Sequence, residues 1–221
     1  TVSQAANDFY APVSKVITLT VKKQPVNITA DDIVLTYGDP AFTLTASSLV
    51  TDRGFTFTIS DGTIGSISGN VLSVLKVGTT NITVSQAAND FYAPVSKVIT
   101  LTVNKQSVNI NANDIVLTYG DPAFTLTASS LVTDRGFTFT ISDATIGSIS
   151  GSVLSILKPG TTNITISQAS NDFYTPVSKV ISLIVNKITP TLDFPEITKT
   201  YGDSDFTPTV TTNSSGNITF S

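Results

Sequence analysis

The side chains that could do covalent chemistry are thin in this sequence. The 221 residues contain no His, no Cys, no Met and no Trp. A Ser-His-Asp or Cys-His nucleophile therefore has no base, and a zinc centre lacks its usual ligands. Glycoside hydrolysis needs two opposed carboxyl groups, but Glu196 is the only Glu and the Asp residues stand at turn positions. The chain reads as non-enzymatic, with no cofactor. Calcium is the remaining inorganic candidate, because Asp31, Asp32, Asp39, Asp52 and Asp61 place hard oxygens near loops. No stretch has the D-x-[DN]-x-[DN]-G spacing, however, and capping of turns by Asp explains the same residues.

Two further groups of residues carry possible recognition chemistry. One is the loop "SQAANDFYAPVS", which occurs at residues 3–14 and 85–96 and returns as "SQASNDFYTPVS" at 167–178. It places Phe9-Tyr10, Phe91-Tyr92 and Phe173-Tyr174 in three equivalent loops. An exposed aromatic pair offers a platform for sugar rings. In the competing structural reading, Phe91 plugs the end of a core and Tyr92 packs on the loop, and this is the reading we favour. The other group is the set of Asn-x-Ser/Thr sequons at Asn27, Asn81, Asn163, Asn213 and Asn217. The 36 Thr residues raise the same question as the sequons, since they could accept glycans or simply favour strands.

The elements that must hold these residues come from self-comparison. Thr1 aligns with Thr83 and Thr165, a period of 82 residues. Thr1–Ile82 and Thr83–Ile164 differ at eight positions, leaving 82 − 8 = 74 identities. The likeness stops near Lys187, after which only "TYGDSDF" (Thr200–Phe206) and "SGNITFS" echo it. The expected organisation is the C-terminal part of a unit at 1–23, full units at 24–105 and 106–187, and an incomplete, divergent unit at 188–221. With no Met and no leader-like start, the sequence reads as an interior piece of something longer.

Each unit alternates apolar residues with Thr and Ser. Phe55, Phe57 and Ile59 oppose Thr56, Thr58 and Ser60, while Ile82 and Val84 oppose Asn81, Thr83 and Ser85. Such alternation predicts strands with one buried and one wet face. Turn signals separate them at Gly38-Asp39-Pro40, Asp61-Gly62 and Ser68-Gly69-Asn70. About seven short antiparallel strands per unit predict an all-β, immunoglobulin-like sandwich in a tandem array. Asn81 and Asn163 fall on the wet face.

Net charge is −4, charged residues are 13% of the chain, and no basic run exceeds Lys22-Lys23. That is a poor match to nucleic acid, which requires clustered cations. No apolar run approaches the ~20 residues of a membrane-spanning helix.

"FTISDGTIGSISGNVLSVLKVGTTNITVSQ" (Phe57–Gln86) resembles the bacterial Ig-like group 2 pattern. "DIVLTYGDPAFTLTA" (Asp32–Ala46) and "NDFYAPVSKVITLTVNK" (Asn89–Lys105) resemble the related MBG-type repeats. The last unit departs from this pattern, with Ser204 where earlier units have Pro40 and Pro122. The resemblance implies a large surface protein, often an adhesin, whose stalk is built of such units. It supplies no catalytic or ligand residues. The expected function is a spacer segment of an extracellular stalk or fibre at the cell surface, with neighbouring units as partners. The alternatives are a self-assembling filament subunit and a glycan- or host-protein-binding module that uses end loops.

Overall fold

β-branched residues in strict alternation with Thr fit a pleated surface that is dry on one side. The computed structural model, which describes residues 1–221, accordingly contains strands and no helix. It divides into two compact units, Thr1–Gln106 and Ser107–Ser221. No helix is long and apolar enough to cross a membrane.

The first unit opens with a short antiparallel pair, β1 (Val2–Gln4) and β2 (Val13–Lys15). The sandwich follows as β3 (Ile33–Thr36), β4 (Phe42–Thr43), β5 (Thr56–Ile59), β6 (Gly65–Ser68), β7 (Val71–Val74), β8 (Gly78–Gln86) and β9 (Val95–Asn104). One sheet has the order β3-β9-β8-β5 and the other β4-β7-β6. Ahead of β3, Thr29 bridges Ser47 on the three-stranded side, and the chain then crosses to the four-stranded sheet. This division of strands over two sheets is the immunoglobulin arrangement.

The expectation of antiparallel pairing throughout needs one correction. β3 pairs with β9 in parallel, Ile33 opposite Leu101. The cause is the crossover after Thr29, which lays the first strand beside the last one while both run the same way. The hairpin from β6 to β7 turns through Gly69-Asn70, and Gly69 has φ +63°. A positive φ at the first central residue is what a type II′ turn requires, and Gly reaches it without a Cβ clash.

Inward residues of the two sheets form the core: Leu72, Ile82, Val84 and Leu101 have no exposed surface, and Leu44 and Val103 are 2% exposed. The segment 13–21 has the same sequence as 95–103, yet Leu19 is 86% exposed where Leu101 is fully buried. Pattern alone does not bury a strand; Leu101 is covered because β3, β8 and the opposite sheet flank it.

The second unit repeats this plan. Its strands are β10 (Ile115–Thr118), β11 (Phe124–Thr125), β12 (Thr138–Ile141), β13 (Gly147–Ser150), β14 (Val153–Ile156), β15 (Gly160–Gln168) and β16 (Val177–Asn186). The sheets are β10-β16-β15-β12 and β11-β14-β13, with β10 and β16 parallel. Leu154, Ile164, Ile166 and Leu183 are fully buried. β17 (Leu192–Asp193) and β18 (Thr211–Thr212) then pair near the end of the chain. There Phe194 and Phe220 meet at 6.1 Å between ring centroids, and Lys199 lies 5.0 Å from the centre of the Phe206 ring.

Candidate functional site

The repeated aromatic loop joins the end of β8 to the start of β9, and its shape is set by Asn89. The Asn89 Oδ1 accepts hydrogen bonds from the backbone N–H groups of Phe91 at 3.0 Å and Tyr92 at 2.8 Å. The Asn89 N–H in turn donates to the Tyr92 carbonyl at 3.2 Å. This is an Asx turn, in which the side chain stands in for a backbone acceptor. Asn7 does the same for Phe9 at 2.9 Å and Tyr10 at 2.8 Å, and Asn171 for Phe173 at 2.9 Å and Tyr174 at 2.8 Å. The same turn in all three copies marks it as local in origin.

Around Asn89 the turn is tied to two other segments. The Asn89 Nδ2 donates to both carboxylate oxygens of Asp52 at 3.2 Å, and the Gln24 N–H donates to the Phe91 carbonyl at 2.8 Å. Phe91 does not plug the core: it is 74% exposed, because the turn aims it outward. Tyr92 is half-buried, as are Phe173 and Tyr174, whereas Phe9 and Tyr10 are exposed.

A residue other than the candidate aromatic and sequon residues anchors this end of the sandwich. Gln86 is 2% exposed, and its Nε2 donates to the carbonyls of Val50 at 2.9 Å and Arg53 at 2.8 Å. Its Oε1 accepts from the Ser48 hydroxyl at 2.6 Å. Gln168 repeats the arrangement with Val132, Arg135 and Ser130. The signal was present in the alternation, since Gln86 falls on the same face as Ile82 and Val84. A polar residue at an inward position must find partners.

Asp39, Asp32 and Asp61 are engaged one by one in turns and edges. Asp39 Oδ2 accepts from the Thr36 N–H at 2.7 Å, and Asp32 Oδ1 from the Thr100 N–H at 2.7 Å. Asp61 Oδ1 accepts from the Thr63 hydroxyl at 2.7 Å and its N–H at 2.8 Å. No group of three or more His, Cys, Asp or Glu side chains is placed to hold a metal ion.

The hydroxyl of Thr63, then its N–H, and in lesser measure the charge of Lys76, hold Asp61 below its ordinary pKa of 3.8. A carboxyl with a depressed folded pKa adds stability above its unfolded pKa and loses it as pH falls through the folded value. Asp61→Asn should therefore narrow the stability gap between neutral pH and pH below 3.8, read from urea midpoints across that window. Asp143 with Thr145 behaves alike.

A concavity of about 570 Å³ lies in the second unit where its first segment crosses between sheets, with Ile115, Phe124, Leu126 and Ile181 in its wall. Its counterpart in the first unit is about 370 Å³. The carboxylate at the larger one, Asp114, already accepts the Ser182 N–H at 2.7 Å. All five sequon asparagines are exposed. Asn81 and Asn163 lie on the outer face of the four-stranded sheets, while Asn213 Oδ1 accepts the Thr191 N–H at 2.8 Å.

No protein-family model matches the chain, and no curated protein matches it. Among solved structures it is similar to the titin domains Z1Z2 in complex with telethonin, at 12% identity and TM-score 0.38, over 76% of this chain and all (100%) of that one. It is similar to Drosophila N-cadherin EC1-3 at 12% identity and TM-score 0.32, over 75% of this chain and 69% of that one. A SusE-like, surface-located polysaccharide-binding protein of Bacteroides thetaiotaomicron is similar at 10% identity and TM-score 0.30, over 76% of this chain and 36% of that one.

Proposed function

We propose that these units are spacers in a stalk or fibre on a cell surface, of the kind found in large bacterial adhesins, and that their job is length. One observation carries this. The first and last sandwich strands of each unit are parallel neighbours, Ile33 beside Leu101 and Ile115 beside Leu183. A chain that runs along the first strand and again along the last in the same direction enters a unit at one pole and leaves at the other. A unit entered and left in this way is suited to add its own length to a stalk. The well-formed features of the end loop support a structural role as well, because Asn89, Asp52 and Gln86 spend their polar atoms on holding loops together. Catalysis has no constellation to work with.

The exposure of Phe91 favours a second reading, a binding module whose end loop stacks on a sugar ring. Two variants separate the readings. If the loop is structural, Asn89→Ala lowers the melting temperature of its unit by the equivalent of about 0.5–2 kcal/mol, as loss of a capping side chain does. Phe91→Ala then leaves both melting and an array of surface glycans unchanged. Glycan binding that is present in the native chain and lost in Phe91→Ala would replace the spacer with the binding module.

A further inference from the structure

The turn that follows the first sandwich strand occurs three times with one geometry. In the first unit Gly38 has φ +90°, the Asp39 N–H donates to the Thr36 carbonyl at 3.0 Å, and Asp39 Oδ2 accepts the Thr36 N–H at 2.7 Å. The turns at 118–121 and 200–203 repeat all three features, with glycine φ of +94° and carboxylate contacts of 2.8 Å. Each is a type II turn capped by its own Asp. What differs is the next residue: Pro40 and Pro122 in the full units, Ser204 in the last. Asp39, Pro40, Asp121 and Pro122 are all exposed.

We propose that the peptide bonds Asp39–Pro40 and Asp121–Pro122 are self-cleaving, opening in acid while the units stay folded. The turn engages the Asp N–H and one carboxylate oxygen, Oδ2. The other oxygen, Oδ1, can add to the main-chain carbonyl carbon of its own residue, closing a small cyclic anhydride. A carboxylate is a competent nucleophile, and a tethered one reacts as though at very high concentration. As the new C–O bond forms, a proton from acidic solvent passes to the Pro nitrogen. The C–N bond then breaks with its electron pair staying on nitrogen, which departs as the secondary amine of a new chain start. Water adds to the anhydride left on Asp and opens it to a pair of carboxyl groups. The net change is hydrolysis of the peptide bond, with water as the only co-reactant.

Proline matters as the leaving group. Its ring nitrogen carries no hydrogen, and the extra alkyl substituent lets it take up a proton more readily than the nitrogen of a secondary amide. The bond after Asp203 has the same turn and the same capping carboxylate but leads to Ser204, so the molecule carries its own control. The place of the cuts decides their consequence. Each lies in the loop that joins the two sheets of a unit, β3 to β4 and β10 to β11. β3 remains paired with β9 and Ile33 remains buried, so the severed strand keeps its seat. The unit is then continuous only through non-covalent contacts. Loss of a stalk's strength under load rests on the spacer reading; the cleavage itself does not.

The test holds the full chain in neutral buffer and in mild acid, about pH 3–4, where carboxyls are partly ionised. Circular dichroism follows the fold, and mass spectrometry after denaturation reads the pieces. Acid alone is expected to give pieces 1–39, 40–121 and 122–221. Asp39→Asn removes the nucleophile and should lose the first cut while keeping the second, and Pro40→Ser should do the same. Ser204→Pro should add a cut after Asp203. A chain that stays intact in acid overturns the proposal. So does cutting as frequent after Asp203 or Asp61 as after Asp39, which is unspecific hydrolysis. Cutting seen only once circular dichroism shows the chain unfolded, or a first cut that survives in Asp39→Asn, overturns it as well.

Discussion

Ile82→Ala is expected to destabilise the first sandwich by about 2–5 kcal/mol, the cost of emptying a filled core site. Ile82 has no exposed surface and sits between Ile59 and Ile99 in the strand register. Thr83→Ala, one step along β8 and facing out, should cost under about 1 kcal/mol. An 82-residue unit has a total stability of roughly 4–12 kcal/mol at ~0.05–0.15 kcal/mol per residue. The core change therefore removes a large share and can unfold the unit outright. Because Ile164 is untouched in the other unit, urea unfolding followed by tryptophan-free probes such as amide exchange should split into two transitions, one of them native. Equal losses at Ile82 and Thr83 would show the register of β8 to be wrong.

Gln86→Leu should also be damaging although it makes the interior more apolar. The Arg53 carbonyl would lose the Gln86 amide that now lies 2.8 Å away, and the Val50 carbonyl and Ser48 hydroxyl would keep only their own hydrogen bonds, at 3.1–3.2 Å. A buried polar group left without a partner costs about 1–3 kcal/mol, and the loss is expected in that range. Gln86→Glu should be worse near neutral pH, since it sets an anion against two carbonyl oxygens, and should recover in acid as the carboxyl is protonated. Denaturant midpoints of the two variants at pH 7 and in mild acid measure both effects. A neutral Gln86→Leu would mean that the loop from Ser48 to Arg53 is held by other contacts.

The alternation in "FTFTIS" and "NITVSQ" made the strands and their inward sides legible, because a pleated strand has a side-chain period of two. The turns were legible for a similar local reason: Asp39, Asp61 and Gly69 impose their geometry on two or three neighbours. The parallel pairing of β3 with β9 was not, since it depends on where the chain crosses between sheets after Thr29. Nor was the outward aim of Phe91, which lies in a run that looks apolar but belongs to the Asn89 turn. Gln86 stood in view on the inward side, yet its partners come from a loop more than thirty residues away in sequence. Burial itself is a property of neighbours, as the identical segments 13–21 and 95–103 make plain.

Length is the property on which the spacer function stands. Small-angle X-ray scattering gives the maximum dimension of the full chain and of a chain lacking Gln24–Lys105, a deletion of one 82-residue period. β9 spans ten residues, about 33 Å at ~3.3 Å per residue, and the loops at its two poles bring a unit to about 4 nm. The deleted chain is predicted to remain folded and to be shorter by about 4 nm. An unchanged maximum dimension would mean that units fold back on one another, and would contradict the spacer function.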